Sequence, residues 1–236
     1  DRVRAATERT YWQADRGFYA PSVSDFGPQV HRYPFANIGL RPLWIGYGRP
    51  EDKRQADNVL AMLKYLARPD GLLKTTPGCG YYVGMLPGYT LYNLAELRHP
   101  ATRKALAALL ACAEPSGGYA EMIAPDGRSA DRVWGLHRAR PWETGINAEA
   151  VFHALTGYRP DAAARRAYLR PLLLGGQRLE VRRLPLGAIG LDLRVDEDHG
   201  VRHYRISLAD NAPGRVTVDL SVVVWGSGLQ ARGDQG

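Results

Sequence analysis

The sequence predicts a mainly α protein with a β appendage, in which a row of helical hairpins is followed by a small antiparallel sheet. Three observations carry this expectation. Apolar helical segments begin near Phe35, Gly88 and Trp142, a spacing of roughly 50 residues, and each follows a helix of more amphipathic or outward character. From Arg178 onward, apolar and polar residues alternate in runs separated by turns. The connections are also unequal. Those leaving the apolar helices, GRPED and RHPA, are short, whereas those entering them run roughly 15 to 25 residues, which places every long connection on one face.

Taken in order, residues 2–15 form the first outer helix, and Ala36 to Tyr47, ANIGLRPLWIGY, reads as a helix buried on both faces with a kink at Pro42. In the next segment Ala56, Val59, Leu60, Leu63 and Leu66 recur at helical spacing with charges between them, so one face meets solvent. GYTLYNLAEL at 88–97 is the second apolar helix, ATRKALAALLACA the outer helix after it, and WETGINAEAVFHALTGY at 142–158 the third apolar helix. RPDAAARRAYLRPLLLGG reads as a helical linker, followed by four antiparallel strands at 178–184, 189–196, 201–208 and 215–225. The predicted organisation is therefore helical hairpins over 1–160, a linker over 161–177, a β domain over 178–226 and a disordered tail over 227–236.

Composition excludes several classes. With 45% apolar and 23% charged residues the chain can bury a core and is not a disordered segment. The net charge of +7 does not come from a basic tail, because residues 178–236 hold eight Arg against eight Asp and Glu. No run of Lys and Arg resembles a nucleic-acid arm, and no apolar run reaches the 18 or so residues that span a bilayer, so neither nucleic acid nor a membrane is an expected partner. Cys79 and Cys112 lack metal-ligand spacing and read as free thiols. The histidines show no HxxxH or HExxH spacing, and no GxSxG elbow, P-loop or GxGxxG follows a strand, so no metal and no cofactor is expected.

The long connections gather the chemically distinctive residues. Phe18, Tyr19, Asp25, Phe26, His31, Arg32 and Tyr33 fall in the first; Tyr81 and Tyr82 in the second; Tyr119, Glu121, Trp134, His137, Arg140 and Trp142 in the third. A rim of aromatics, arginines and carboxylates above helix N-termini has the character of a ligand mouth, with flat rings suited to sugar faces. Within it, PSGGYAE places the single carboxylate Glu121 beside Tyr119 and a glycine pair. Glu143, in RPWETG, is a first-turn acid that can pair with Arg140 or contact substrate. Asp25 suits a turn in SDFGP, and Trp134 and Trp142 suit either stacking or packing.

The segments YPFANIGLRPLWIGY, GMLPGYTLYNLAEL, PSGGYAE and RPWETGINAEAVFHALTGYRP, followed by RPLLLGGQRLEVRRLPLGAIGLDLRV, together resemble the C-terminal half of the (α/α)6 toroid of the six-hairpin glycosidase superfamily and its C-terminal β domain. The resemblance implies a bacterial type of carbohydrate-active hydrolase with an inverting mechanism, in which Glu121 corresponds to the general base. Inversion sets an acid and a base about 6.5 to 9.5 Å apart, with room for water between them. It also implies substrate contacts from Glu143, Trp142, Arg140, Tyr119, Trp134, Tyr81, His31, Tyr33 and Asp25, and a carbohydrate partner. The chain shows about three hairpins where the toroid has six. The expectation is therefore that it is the C-terminal portion of a longer protein, inactive alone, with the acid supplied by an N-terminal half, or that copies self-associate to close the ring. Two other readings belong to the same layout. One is a polysaccharide lyase or sugar epimerase using His31, Tyr33, His137 and Arg140, and the other is a non-catalytic carbohydrate-binding protein.

Overall fold

The computed structural model describes residues 2–22, 32–124, 140–171, 178–199, 201–209 and 215–221. Contacts divide the chain into two units, Asp1–Ala154 and Leu155–Gly236. Of the described residues about 37% are helical and 26% lie in strands, distributed over four small sheets. The fold is therefore mixed α/β, which corrects the expectation of a mainly α partial (α/α)6 toroid.

The correction has local causes. Helix α1 spans Arg2–Thr10 and stops short of residue 15 because Trp12–Gln13 (β1) pairs antiparallel with Phe18–Tyr19 (β2). The first apolar segment is not one kinked helix. It forms two single turns, α2 (Ala36–Gly39) and α3 (Arg41–Trp44), separated at Leu40. Pro42 lacks the amide that would continue the hydrogen-bond ladder from α2 and instead sits in the first turn of α3, where no such amide is needed. Helix α4 (Lys53–Leu66) buries Val59 and Leu66 of the predicted face together with Met62, which that face did not include, while Ala56 and Leu63 are partly buried and Leu60 is exposed.

Strand β3 (Tyr82–Val83) precedes α5 (Leu86–Glu96), whose residues are nearly all buried, as an apolar helix without a polar face requires. Helix α6 (Thr102–Ala111) packs on it with Ala105, Leu106, Ala108 and Leu109 inward. Strand β4 (Met122–Ile123) pairs antiparallel with β3, and α7 (Pro141–Thr156) follows. The long connections thus meet. The second and third join through the β3–β4 ladder, and the end of the first joins the second where the Ala36 amide donates to the Thr75 carbonyl at 3.0 Å.

Helix α1 buries no residue and is held by polar contacts, among them those of the Glu8 carboxylate. Glu8 accepts hydrogen bonds from Arg54 at 2.7 Å, Tyr19 at 2.8 Å and Tyr47 at 3.2 Å. Burial pushes its carboxyl up, but these donors outweigh burial and hold it below the ordinary value of 4.5. A carboxyl depressed in the folded state stabilises the fold above its unfolded value and loses that contribution as pH falls through the folded one. Thermal melts at decreasing pH are expected to show stability declining below about pH 4.5, and a Glu8→Gln variant is expected to show a shallower decline.

In the second unit, β5 (Arg159–Asp161) and β6 (Arg166–Leu169) form a hairpin inside the segment that reads as a helical linker. The alternation Arg166, Ala167, Tyr168, Leu169 buries Ala167 and Leu169 and settles the strand. Strands β7 (Leu179–Leu186), β8 (Ile189–Asp198) and β9 (Val201–Ala209) form an antiparallel meander close to the predicted positions. Its first turn uses Gly187 at φ 64°, a left-handed conformation that a two-residue hairpin favours. The fourth predicted strand, β10 (Thr217–Leu220), does not extend this meander. It pairs parallel with β6 in a separate three-stranded sheet. Ala167 and Leu169 from that sheet and Leu184, Leu186, Leu191, Leu193 and Val195 from the meander make one core. Residues 227–236, expected to be disordered, lie outside the described residues.

Candidate functional site

The third long connection carries Glu121 to the start of α7, and backbone bonds fix it there. Pro141 opens the helix, a position where no amide partner is needed. Just before it, the Arg140 amide donates to the Tyr119 carbonyl at 2.9 Å, while the Tyr119 amide donates to Thr144 Oγ1 at 3.1 Å. Two residues on, the Glu121 carbonyl accepts from the Gly84 amide at 2.6 Å, and the Gly84 carbonyl in turn accepts from Asn147 Nδ2 at 2.9 Å. Glu121 is therefore positioned by α7 on one side and by the β3–α5 corner on the other.

Its side chain meets Arg140. The guanidinium forms an ion pair with Glu121 Oε2 and a second one with Glu143 Oε2 at 3.4 Å. Arg140 is held above its ordinary value chiefly by the bond to Glu121, with Glu143 adding to the effect. Glu143 is 1% exposed, whereas the Glu121 side chain keeps 29% of its surface. Glu121 Oε2, the oxygen facing Arg140, is itself buried, so the exposed surface of the side chain lies on its other atoms. The cluster thus consists of one permanent cation, one buried carboxylate that anchors it and one partly exposed carboxylate.

The other predicted site residues fall in different surroundings. Trp142 is 58% exposed on α7, with Phe152 exposed on the same helix, and Tyr33 is also exposed. Tyr81 is half-buried. Tyr119 is buried, and burial pushes its phenol up to about 12, so it stays protonated at neutral pH. Asp25, His31, Trp134 and His137 lie outside the described residues. The structure brings Glu121, Arg140, Glu143 and Tyr119 together and sets Trp142 beside them in sequence.

Several residues escaped sequence reasoning. Each apolar segment carries one asparagine, Asn37, Asn93 and Asn147, and each has a buried Oδ1 without a hydrogen-bond partner among the described residues. Two of the amide groups serve the backbone: Asn93 donates to the Leu40 carbonyl at 2.9 Å, and Asn147 to Gly84. A Cβ at Gly88 would lie 2.5 Å from Asn147 Oδ1, so α5 and α7 approach through that glycine. Further along the same helices, buried His153 on α7 meets buried Glu96 on α5, and its ring stacks on Tyr92 with centroids 4.2 Å apart. Trp44 donates to Glu149 at 3.3 Å and packs on Tyr89 with centroids 5.0 Å apart. The recurrence of one polar amide in each apolar helix was the available signal, since a buried amide is retained where it has backbone to satisfy.

Among the described residues no group of three or more His, Cys, Asp and Glu side chains could hold a metal ion. No protein-family model matches the chain, and a search of curated proteins finds no significant match.

Proposed function

We propose that the chain contributes the general base of an inverting glycoside hydrolase. The observation that carries the reading is the carboxylate of Glu121, fixed in its backbone, tied through Oε2 to Arg140 and still partly exposed. A base that must take a proton from water needs such an arrangement, anchored for aim and open to the nucleophile. Glu143 has the part of anchor, since it is buried and faces the same guanidinium. The exposed ring of Trp142 supplies a stacking surface next to them. The acid that protonates the leaving oxygen comes from a carboxylate outside this cluster, about 6.5 to 9.5 Å from Glu121.

The test uses the full-length protein and follows glycoside cleavage by proton NMR. The first sugar released is expected to carry the anomeric configuration opposite to that of the substrate. Retention of configuration would exclude a base aimed at water, and an unsaturated, ultraviolet-absorbing product would assign the site to a lyase. Sugar binding without cleavage would leave a carbohydrate-binding protein.

A further inference from the structure

The solvent face of the β7–β8–β9 meander holds a second candidate site. A groove of about 480 Å³ crosses it, within the range of about 300 to 1,000 Å³ that small-ligand sites occupy. Arg182, Arg183, Arg194 and Arg205 line it against the acids Glu180 and Asp192, which leaves two positive charges in excess. The arrangement works against the sheet's own stability. Arg194 and Arg205 are direct cross-strand partners, and like charges placed opposite one another destabilise a strand pair. At the bulge between Val181 and Leu184, Arg183 adopts φ 57°, a left-handed conformation unusual for its type, and its amide donates to Asp192 Oδ1 at 2.8 Å. The extra residue leaves Arg182 and Arg183 both exposed at the groove's edge.

The partners of these arginines are unequal. Glu180 takes Arg178 at 2.5 Å and Arg182 at 2.6 Å, and Arg194 meets Asp196 at 2.8 Å. Arg205 is exposed and has no ion pair or hydrogen bond among the described residues. A guanidinium left open beside a second one presents a fork that matches a carboxylate in two hydrogen bonds.

The geometry points to an acidic saccharide of the polyuronate class as the ligand of this groove, with Arg205 and Arg194 receiving a sugar carboxylate. Each unit of such a chain carries one carboxylate and free hydroxyls. The groove offers arginine forks for the first, and Asp192, Glu180 and the Ser207 hydroxyl as partners for the second. No aromatic ring lines it, so neither a neutral sugar nor single-stranded nucleic acid finds the stacking platform it needs. The interleaved acids also oppose a continuous run of phosphates. The groove lies in the unit that does not contain Glu121, so the assignment stands apart from the proposed hydrolysis.

Calorimetry with the full chain tests it, using a galacturonate hexamer, the same hexamer fully methyl-esterified, heparin and single-stranded DNA as probes. The free hexamer is expected to bind and to weaken as salt rises. Methyl esterification and Arg205→Gln are each expected to lower affinity about tenfold, the scale of a charged hydrogen bond, with the circular dichroism spectrum unchanged. Equal binding of free and esterified hexamers, or unchanged binding after Arg205→Gln, would overturn the assignment. So would failure of the free hexamer to bind. Tighter binding of heparin than of the hexamer would replace the carboxylate by a sulfate ligand, and tighter binding of DNA would make the face a nucleic-acid surface; either result rejects the uronate.

Discussion

Replacing Glu121 by Gln in the full-length protein is expected to lower the turnover rate by about 10²- to 10⁴-fold, the range that a positioned general base supplies. The substitution keeps the shape and removes the proton acceptor. Stability should change little, because the side chain is partly exposed and an ion pair there contributes about 1 kcal/mol or less. Arg140 also keeps its second partner, Glu143. Steady-state kinetics and a thermal melt on one preparation separate the two effects. A loss below about threefold with unchanged stability would remove Glu121 from the chemistry. The variant Glu143→Gln supplies the contrast. It disturbs a carboxylate buried at the first turn of α7, so its cost should fall on stability as well as on rate.

The second large effect is expected from Gly84→Ala, although the site lies in a different stretch of sequence from Glu121. An added Cβ would collide with the Ala120 carbonyl oxygen, which is backbone and cannot swing aside. Relief requires the β3–β4 ladder to separate, which breaks the Gly84 amide bond to the Glu121 carbonyl and draws the Gly84 carbonyl away from Asn147. Overpacking and two lost hydrogen bonds together cost about 3 kcal/mol or more. Chemical denaturation should show the loss, and any residual activity should fall with it. A fully stable Gly84→Ala variant would mean that the corner does not hold Glu121 in place.

Much of the helical part was legible because its periodicity is local. Helices α4, α5, α6 and α7 lie close to the positions where apolar spacing puts them. The errors arose where a local signal lost to its context. ANIGLRPLWIGY has the composition of a buried helix, yet Pro42 divides it into two turns. ARRAYL is rich in helix formers, but Ala167 and Leu169 are needed by the core of the second unit and make it a strand. The pairing of β10 with β6 joins residues far apart in sequence and follows from no local pattern. For the site, the sequence marked Glu121 on its own and Glu143 as a partner available to Arg140. That a single guanidinium serves both carboxylates is a tertiary fact, as is the backbone clamp through Gly84 and Asn147.

The parallel register of Thr217–Leu220 against Arg166–Leu169 has a consequence for how the protein is made. During synthesis β6 emerges roughly 50 residues ahead of the strand that will cover its open side. In that interval one row of its amides and carbonyls faces solvent or a chaperone, and a chain ending before Thr217 would carry a sticky ribbon ready to join its neighbours.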